Sequence, residues 1–286
     1  MKKKISVLMV LVIVVSSLLV ACGNDKEVST GENKTEVESY TLEGIKNKGK
    51  IILGTSADYP PFETHAMIDG EDQIVGFDIE IAKYIAEELG VELEIKDMDF
   101  DKLLGGLSTG MLDIVIAGMN PDPEREKEVN FTDIYYETKH AVVIHKEDAS
   151  KITKIEDLNG KSIGVQIGTT QEEIAQTTIE NADVLSLSSN PDIIMNLKTK
   201  KINCAIMEEA VAKSFAKAND DLMVVEGISI DSGSDGVAIA VKKGNDELTE
   251  KLNEILADAK DKGLIDKWYF EATELYNEFE SDLDHW

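Results

Sequence analysis

Arg125 follows an apolar run of strand length and is the first candidate for charge-based binding. The run covers residues 112 to 116, and the glycine and two prolines after it end a strand and favour a turn or a first helical position. Ligands of open α/β sheets bind just beyond the carboxyl ends of strands. A guanidinium donates two parallel hydrogen bonds to a carboxylate, each worth about 1.5 to 3 kcal/mol. The alternative is a surface arginine paired with Glu124 or Glu128.

A second candidate anion site lies where the apolar strand 162–166 runs into a helix. Thr169 with Glu172, and Thr170 with Glu173, both fit a capping box, which predicts a helix start there. Free backbone N–H groups and the positive end of the helix dipole suit an anion such as a carboxylate. Every α/β unit contains such helix starts, so a purely structural cap is the alternative.

An acid and two aromatic residues also stand just past predicted strands. Glu208 follows the strand-like run 202–207 and opens a helix to about Ala218, where it either binds a cation or compensates the helix dipole. Tyr59 and Phe62 lie in a proline-stiffened loop after the first strand. They are either pocket walls or ordinary core residues.

The elements that must position these residues alternate between strand and helix, which is typical of a parallel sheet flanked by helices. Asp78 is predicted to cap a helix that ends at Gly90, and amphipathic helices are expected over 245–262 and 264–270. The acidic residues from 271 onward, with apolar ones interspersed, form either a docked helix or a mobile tail. Predicted strands cover 50–54, 91–95, 112–116, 141–144, 162–166, 184–187, 202–207 and 237–241.

Length and charge limit the possible classes of protein. At 286 residues the chain exceeds the size of one growing core, so two compact units are expected. Acidic residues outnumber basic ones 56 to 29, and the net charge of −27 argues against binding nucleic acid or an anionic membrane surface through charge.

The amino terminus has the order of a secretory signal peptide, here residues 1–21. Three lysines precede an apolar region, and Leu19-Val20-Ala21-Cys22 closes it. A membrane-spanning helix is the alternative, since the apolar stretch approaches the lower length limit of about 17 residues. The closing tetrapeptide resembles the lipobox of bacterial lipoproteins, which implies that Cys22 becomes lipidated. Residues 22–39 are polar and predict a flexible tether.

Motifs for enzymatic or metal chemistry do not have the context that they require. Gly106–Gly110 matches G-x-S-x-G, but a helix precedes it and a strand follows, the reverse of a nucleophile elbow. Gly160-Lys161-Ser162 lacks the first glycine of a phosphate loop. The four histidines show no metal-ligand spacing, and Cys204 lies in an apolar run typical of a buried residue. We therefore expect no metal, no cofactor and no catalytic residue.

Five segments occur in a specific order: Asp58–Phe62, Gly76–Ala82, Gly118–Arg125, Gly168–Glu172 and Glu208–Ala212. Together they resemble the polar amino-acid binding proteins of bacterial ABC importers, the family 3 extracellular solute-binding proteins, over about residues 42–270. The resemblance implies the two-lobe α/β fold of type II periplasmic binding proteins, with two crossing strands and a ligand cleft. It places lobe 1 at 40–144 plus 233–271, lobe 2 at 145–232, and an acidic C-terminal tail at 272–286.

The resemblance also implies roles for particular residues. Arg125 would clamp the α-carboxylate of an amino acid with backbone N–H groups of Asn120 and Thr170, and Glu208 would bind the α-ammonium group with the Gly118 carbonyl. Glutamate stands here where many relatives have aspartate. The full implied set is Tyr59, Phe62, Phe100, Gly118, Met119, Asn120, Arg125, Thr169, Thr170 and Glu208, in which the three aromatic residues wall the side-chain pocket.

An amino acid is a zwitterion, so its receptor needs a donor cluster and an acid on opposite walls of the binding site. Arg125 lies in the first predicted unit, whereas Thr170 and Glu208 lie in the second. A ligand that touches both units would stabilise the closed form, which a permease could recognise. The expected protein is thus a monomeric receptor for a polar or basic L-amino acid, lipid-anchored at the extracellular face of the cell membrane and serving an ABC permease. Two alternatives remain open: a cleft enzyme similar to cyclohexadienyl dehydratase, and a sensory ligand-binding domain.

Overall fold

The computed structural model describes residues 39–231 and 233–283, the last four of them through the backbone only. The expected signal peptide, the Cys22 lipidation site and nearly all of the tether lie outside this part of the chain. Within it, no helix combines the length and the apolar character that crossing a bilayer requires.

The helices and strands alternate along the chain as the residue pattern predicts. The helices are α1 (Leu42–Lys48), α2 (Phe77–Leu89), α3 (Leu103–Thr109), α4 (Arg125–Glu128), α5 (Thr170–Thr177), α6 (Asn190–Lys198), α7 (Glu209–Ala218), α8 (Asp246–Asp261) and α9 (Leu264–Leu283). The strands are β1 (Lys50–Thr55), β2 (Asp58–Tyr59), β3 (Glu63–Ile68), β4 (Glu71–Val75), β5 (Glu92–Asp97), β6 (Ile114–Val115), β7 (Val129–Phe131), β8 (Tyr136–Glu137), β9 (His140–His145), β10 (Ser162–Gln166), β11 (Asp183–Leu187), β12 (Cys204–Glu208), β13 (Leu222–Val224), β14 (Gly236–Val237) and β15 (Ala240–Lys242).

Two five-stranded sheets define two lobes. Lobe 1 contains the sheet β5-β1-β6-β15-β7, in which β1 is parallel to β5 and β6 while β15 is antiparallel to β6 and β7. Lobe 2 contains β11-β10-β12-β9-β13, in which β10 is parallel to β11 and β12 while β9 is antiparallel to β12 and β13. The expected two-lobe α/β class is confirmed.

The chain crosses between the lobes twice, through a two-stranded antiparallel ribbon of β8 and β14. The structure places the first crossing earlier than residue 144, the expected end of lobe 1, because all of β9 pairs within the second sheet. The apolar run 141–144 predicts a strand but carries no signal for which sheet it joins, since sheet membership depends on its partners.

The helices bury the faces that their periodicity predicts. In α2, Ile81, Ile85 and Leu89 are buried, and Gly90 ends the helix in the left-handed conformation with φ 70°. The helix begins after Gly76, however, and the predicted cap at Asp78 is wrong, because that carboxylate is turned into the protein interior.

The C-terminal region continues as helix well past residue 270, which decides a question that the sequence leaves open. Helix α9 runs to Leu283 and packs against α2 and α8 of lobe 1 and against α7 of lobe 2. Its Tyr269 stacks on Tyr136 of the crossing strand β8, with ring centroids 4.5 Å apart. Elsewhere, Cys204 is fully buried as predicted, and burial raises its pKa to about 12.

Candidate functional site

A small cavity lies between the lobes and is lined from both sides. Its volume is about 10 Å³, which holds about one water molecule. The lobes are therefore closed on each other, and an amino acid could enter only after they move apart. The lining residues are Tyr59, Phe100, Gly118, Asn120 and Arg125 from lobe 1, and Gln166, Thr169 and Gln171 from lobe 2.

Arg125 reaches across this cavity from the first position of α4. Its Nη1 donates to the Asn120 carbonyl at 2.6 Å, its Nη2 donates to the Gly168 carbonyl of lobe 2 at 2.8 Å, and its Nε pairs with Asp122 at 3.0 Å. The guanidinium carbon lies 5.4 Å from the centre of the Phe100 ring. These partners engage three of the five N–H groups of an arginine, which leaves two for an anion. Burial lowers the pKa of Arg125, and the charges of Asp122 and Glu173 partly offset this effect.

Gly118 lies on the cavity wall in a conformation that suits glycine, with φ 52°. A Cβ atom there would lie 3.0 Å from the Tyr59 ring, so the absence of a side chain lets the ring pack on the backbone. The Gly118 N–H donates to the buried Asp78 carboxylate at 2.8 Å, and the Tyr135 hydroxyl donates to the same carboxylate. Asp78 therefore orients the Gly118 peptide from behind the cavity.

Helix α5 begins at the cavity as predicted. Thr169 is its N-cap, and its hydroxyl accepts the Glu172 N–H at 3.2 Å. The Glu172 side chain accepts the backbone N–H of Gly168 at 2.7 Å rather than that of the cap residue Thr169. Thr170 is the first helical residue, so the alternative start one residue later is not used. Its hydroxyl donates to the Asn120 amide oxygen of lobe 1 at 3.3 Å.

Glu208 is fully buried at the end of β12 and does not line the cavity. Its Oε2 accepts the Thr138 hydroxyl at 2.8 Å, and its Oε1 has no hydrogen-bond partner among the described residues. Its backbone N–H donates to the Tyr59 hydroxyl at 3.1 Å, across the lobes. Because a buried carboxylate oxygen without a donor is costly, this oxygen favours a cation or an N–H donor, either brought by a ligand or supplied by His140 when its imidazole is protonated.

Gln166, Gln171 and His140 are site residues that the sequence did not predict; the two glutamines line the cavity, and His140 contacts Gln171. The Gln171 amide donates both to the Tyr59 hydroxyl and to His140 Nδ1, each at 3.3 Å, and His140 Nε2 lies 2.9 Å from the Thr170 hydroxyl. His140 Nδ1 also lies 3.4 Å from Glu208 Oε1. The position of Gln171 in the first turn after a candidate anion site was the only signal in the sequence, whereas nothing local marks His140.

Four expected site residues do not line the cavity: Phe62, Met119, Thr170 and Glu208. Phe62 is fully buried beneath Tyr59, with ring centroids 5.9 Å apart, and its edge contacts are with Phe77 and Tyr136. Met119 is 1% exposed and belongs to the core under α3, where its carbonyl accepts the Ala238 N–H. The side chains of Phe62 and Met119 are buried below the cavity, where they support the loops that reach it.

The residues 51–271 match the model of the bacterial extracellular solute-binding proteins, family 3. The chain belongs to this family. It is a solute-binding protein of the amino-acid ABC transporter type, and the family consists of extracellular proteins. In the 39–231 and 233–283 ranges, no cluster of three or more potential metal ligands is present.

Named members of the family include transport proteins of similar length. The chain is 38% identical to the arginine-binding extracellular protein ArtP of Bacillus subtilis over 252 residues, which cover 87% of this chain and 93% of the relative. A solved structure of an amino-acid ABC transporter substrate-binding protein from Streptococcus pneumoniae bound to L-arginine is 36% identical, covers 82% of this chain and 98% of its own, and has a TM-score of 0.77.

The fold also includes a protein related to an enzyme. The ancestral amino acid-binding protein AncCDT-1, described as a precursor of cyclohexadienyl dehydratase, is 32% identical, covers 81% of this chain and 99% of its own, and has a TM-score of 0.74. The relatives reported from bacteria are transport binding proteins, and this ancestor is itself an amino acid-binding protein.

Proposed function

We propose that this protein is a lipid-anchored receptor that binds a free basic L-amino acid, with L-arginine as the first candidate, between its two lobes and delivers it to an ABC permease. The observation that carries the proposal is the meeting of Arg125 from lobe 1 with the capped start of α5 from lobe 2 around one cavity. Such an arrangement converts the binding of one ligand into closure of the cleft.

The anionic end of the ligand has a defined place in this proposal. Arg125 keeps two N–H groups beyond its present partners, and opening of the lobes releases the one now bonded to the Gly168 carbonyl. A carboxylate that replaces the carbonyl gains charge-assisted hydrogen bonds, which are stronger than bonds between neutral groups. The first turn of α5 adds the positive end of its dipole.

The cationic end is assigned to Glu208, whose Oε1 is buried without a hydrogen-bond partner among the described residues. Because Glu208 does not line the cavity, an ammonium group would reach it only after neighbouring side chains such as Tyr59 and Gln171 move with lobe opening. Tyr59 and Phe100 both line the cavity, and aromatic rings attract a planar cation such as that of a basic ligand side chain. The similarity to arginine-binding relatives supports the same class.

Cys22 is proposed as the lipid-bearing residue, and this part rests on the tetrapeptide Leu19–Cys22 alone. Mass spectrometry of the mature N-terminal peptide should find a lipid-modified cysteine. In a Cys22→Ser variant, the protein should leave the membrane fraction. An unmodified Cys22 in the membrane-bound protein would contradict the proposed anchor without affecting the proposed ligand.

Ligand class is tested by thermal shift with the twenty amino acids, followed by calorimetry. Ligand at about 100 times its dissociation constant adds about 2.7 kcal/mol to the free energy of unfolding, so L-arginine should raise the melting temperature by several degrees. Arg125→Ala should abolish this shift, and Glu208→Gln should weaken it. Lys127→Ala, which removes an exposed cation from the same helix, is the matched control. No shift with any amino acid, or an unchanged shift in Arg125→Ala, would refute the proposal.

A further inference from the structure

A carboxylate from lobe 1 bonds to the beginning of a helix in lobe 2. Asp58 lies in β2, and its Oδ2 accepts the backbone N–H of Asn190 at 2.8 Å. Its Oδ1 accepts the Asn190 amide at 3.2 Å and the Gln166 amide at 3.4 Å. All three donors belong to lobe 2, so one side chain makes three contacts across the lobes.

The helix that receives this carboxylate already has its own cap. Ser189 is the N-cap of α6, and its hydroxyl accepts the Asp192 N–H at 3.3 Å. Asn190 is the first helical residue, and its N–H is one of the groups that have no partner inside a helix. Asp58 satisfies that N–H from the other lobe and places a negative charge at the positive end of α6.

This contact lies outside the proposed ligand cavity. Asp58 is not part of the cavity lining; it lies on the wall of a neighbouring groove between β3 and α6. The connection between the two places is Gln166, which lines the cavity and donates to both Asp58 and the Ser188 carbonyl. A change at Asp58 would therefore remove contacts between the lobes without removing a group that lines the cavity.

We propose that Asp58 is a closure residue, which stabilises the closed form by binding the start of α6 and so slows release of the ligand. When the lobes separate, the carboxylate and the N–H of Asn190 exchange their mutual bond for bonds to water. Only the closed form gains from the contact, which is the condition for shifting an equilibrium between two conformations. The inference about ligand release rests on the proposed function, whereas the inference about closure does not.

Removing the contact should change the dissociation rate constant of the ligand more than its association rate constant. Ligand enters the open form, in which Asp58 has no partner in lobe 2, so the association rate constant should change by less than about twofold. The closed complex loses a charge-assisted contact, so the dissociation rate constant should rise about tenfold, which corresponds to about 1.4 kcal/mol.

The test uses Asp58→Ala and Asp58→Asn, with Asn190→Ala as the variant from the opposite side. Asp69→Asn is the matched control, because it removes the same charge from an exposed turn of lobe 1 between β3 and β4. Small-angle X-ray scattering measures the radius of gyration of each protein without ligand and with L-arginine. Stopped-flow fluorescence measures the association and dissociation rate constants of L-arginine.

The inference predicts a larger radius of gyration for both Asp58 variants in at least one of the two states, faster release of L-arginine, and no change in the control. Unchanged scattering together with an unchanged dissociation rate constant would overturn it. A lower association rate constant with unchanged release would also overturn it, because Asp58 would then act on ligand entry. If L-arginine does not bind the unmodified protein, the proposed ligand fails, and scattering of the ligand-free variants alone decides whether Asp58 holds the lobes closed.

Discussion

The buried Asp78 should give this protein an unusual dependence of stability on pH. Its carboxylate is fully buried, accepts the Gly118 N–H and the Tyr135 hydroxyl, and lies beside the equally buried Glu63. Burial raises the pKa of Asp78 from 3.8 to about 6, although the Gly118 and Tyr135 hydrogen bonds act in the opposite direction. Burial, followed by the nearby Asp78 charge, also raises the pKa of Glu63 well above its ordinary value.

The sign of the effect follows because the folded protein binds a proton at Asp78 more tightly than the unfolded chain does. The folded protein takes up a proton at Asp78 near pH 6, whereas the unfolded chain does so near pH 3.8. The cost of burying the charge is present above pH 6 and disappears as the pH falls toward 3.8. Between pH 7 and pH 5 the contribution of Asp78 should therefore raise the free energy of unfolding by about 1.3 kcal/mol.

Urea unfolding at pH 7, 6 and 5 measures this contribution as a difference between two variants. The comparison uses Glu63→Gln and the double variant Glu63→Gln with Asp78→Asn, so that one carboxyl group of this buried pair titrates in the first protein and neither does in the second. All other groups cancel in the difference. As the pH falls from 7 to 5, the free energy of unfolding should rise by about 1.3 kcal/mol more in the single variant than in the double variant. Equal changes in the two proteins, or the opposite sign, would refute the argument from burial.

Three further predictions concern the cleft, an ion pair and the last helix. Gly118→Ala adds a Cβ atom 3.0 Å from the Tyr59 ring, and holding alanine in the left-handed backbone conformation costs about 1 to 2 kcal/mol. Calorimetry should therefore show weaker binding of L-arginine, and equal affinity would contradict the close packing. Asp113→Asn breaks the ion pair with Lys48 at 2.6 Å and should lower the urea unfolding free energy by about 2 kcal/mol, whereas an unchanged midpoint would show that the pair is dispensable. Truncation after residue 271 removes the buried Tyr276 and should lower the free energy of unfolding by about 1.5 to 3 kcal/mol, and with it the melting temperature, relative to truncation after residue 283. Equal melting temperatures would mean that the end of α9 does not stabilise the fold.

The sequence by itself determined the class of the fold and, to within one residue, the start of helix α5 at the cavity. The burial of Ile81, Ile85 and Leu89 follows from a period of 3.6 residues, and the cap at Thr169 follows from residues three positions apart. Both patterns are local, because the partners are within one turn of the helix. The order of strands and helices is local for the same reason and predicted the α/β class, whereas two compact units were expected from the chain length and the two-lobe fold was implied by the family resemblance.

Only the tertiary structure decided which side chains meet between the lobes. Asp78 has the sequence context of a helix cap but instead orients Gly118, which lies 40 positions away. Asp58 and Asn190 are 132 positions apart, and their contact depends on how two separately folded sheets are joined by β8 and β14. Glu208 is the last residue of its strand rather than the residue after it, and its carboxylate faces Thr138 of the crossing segment, because the packing of the lobes and not the residue pattern sets that direction.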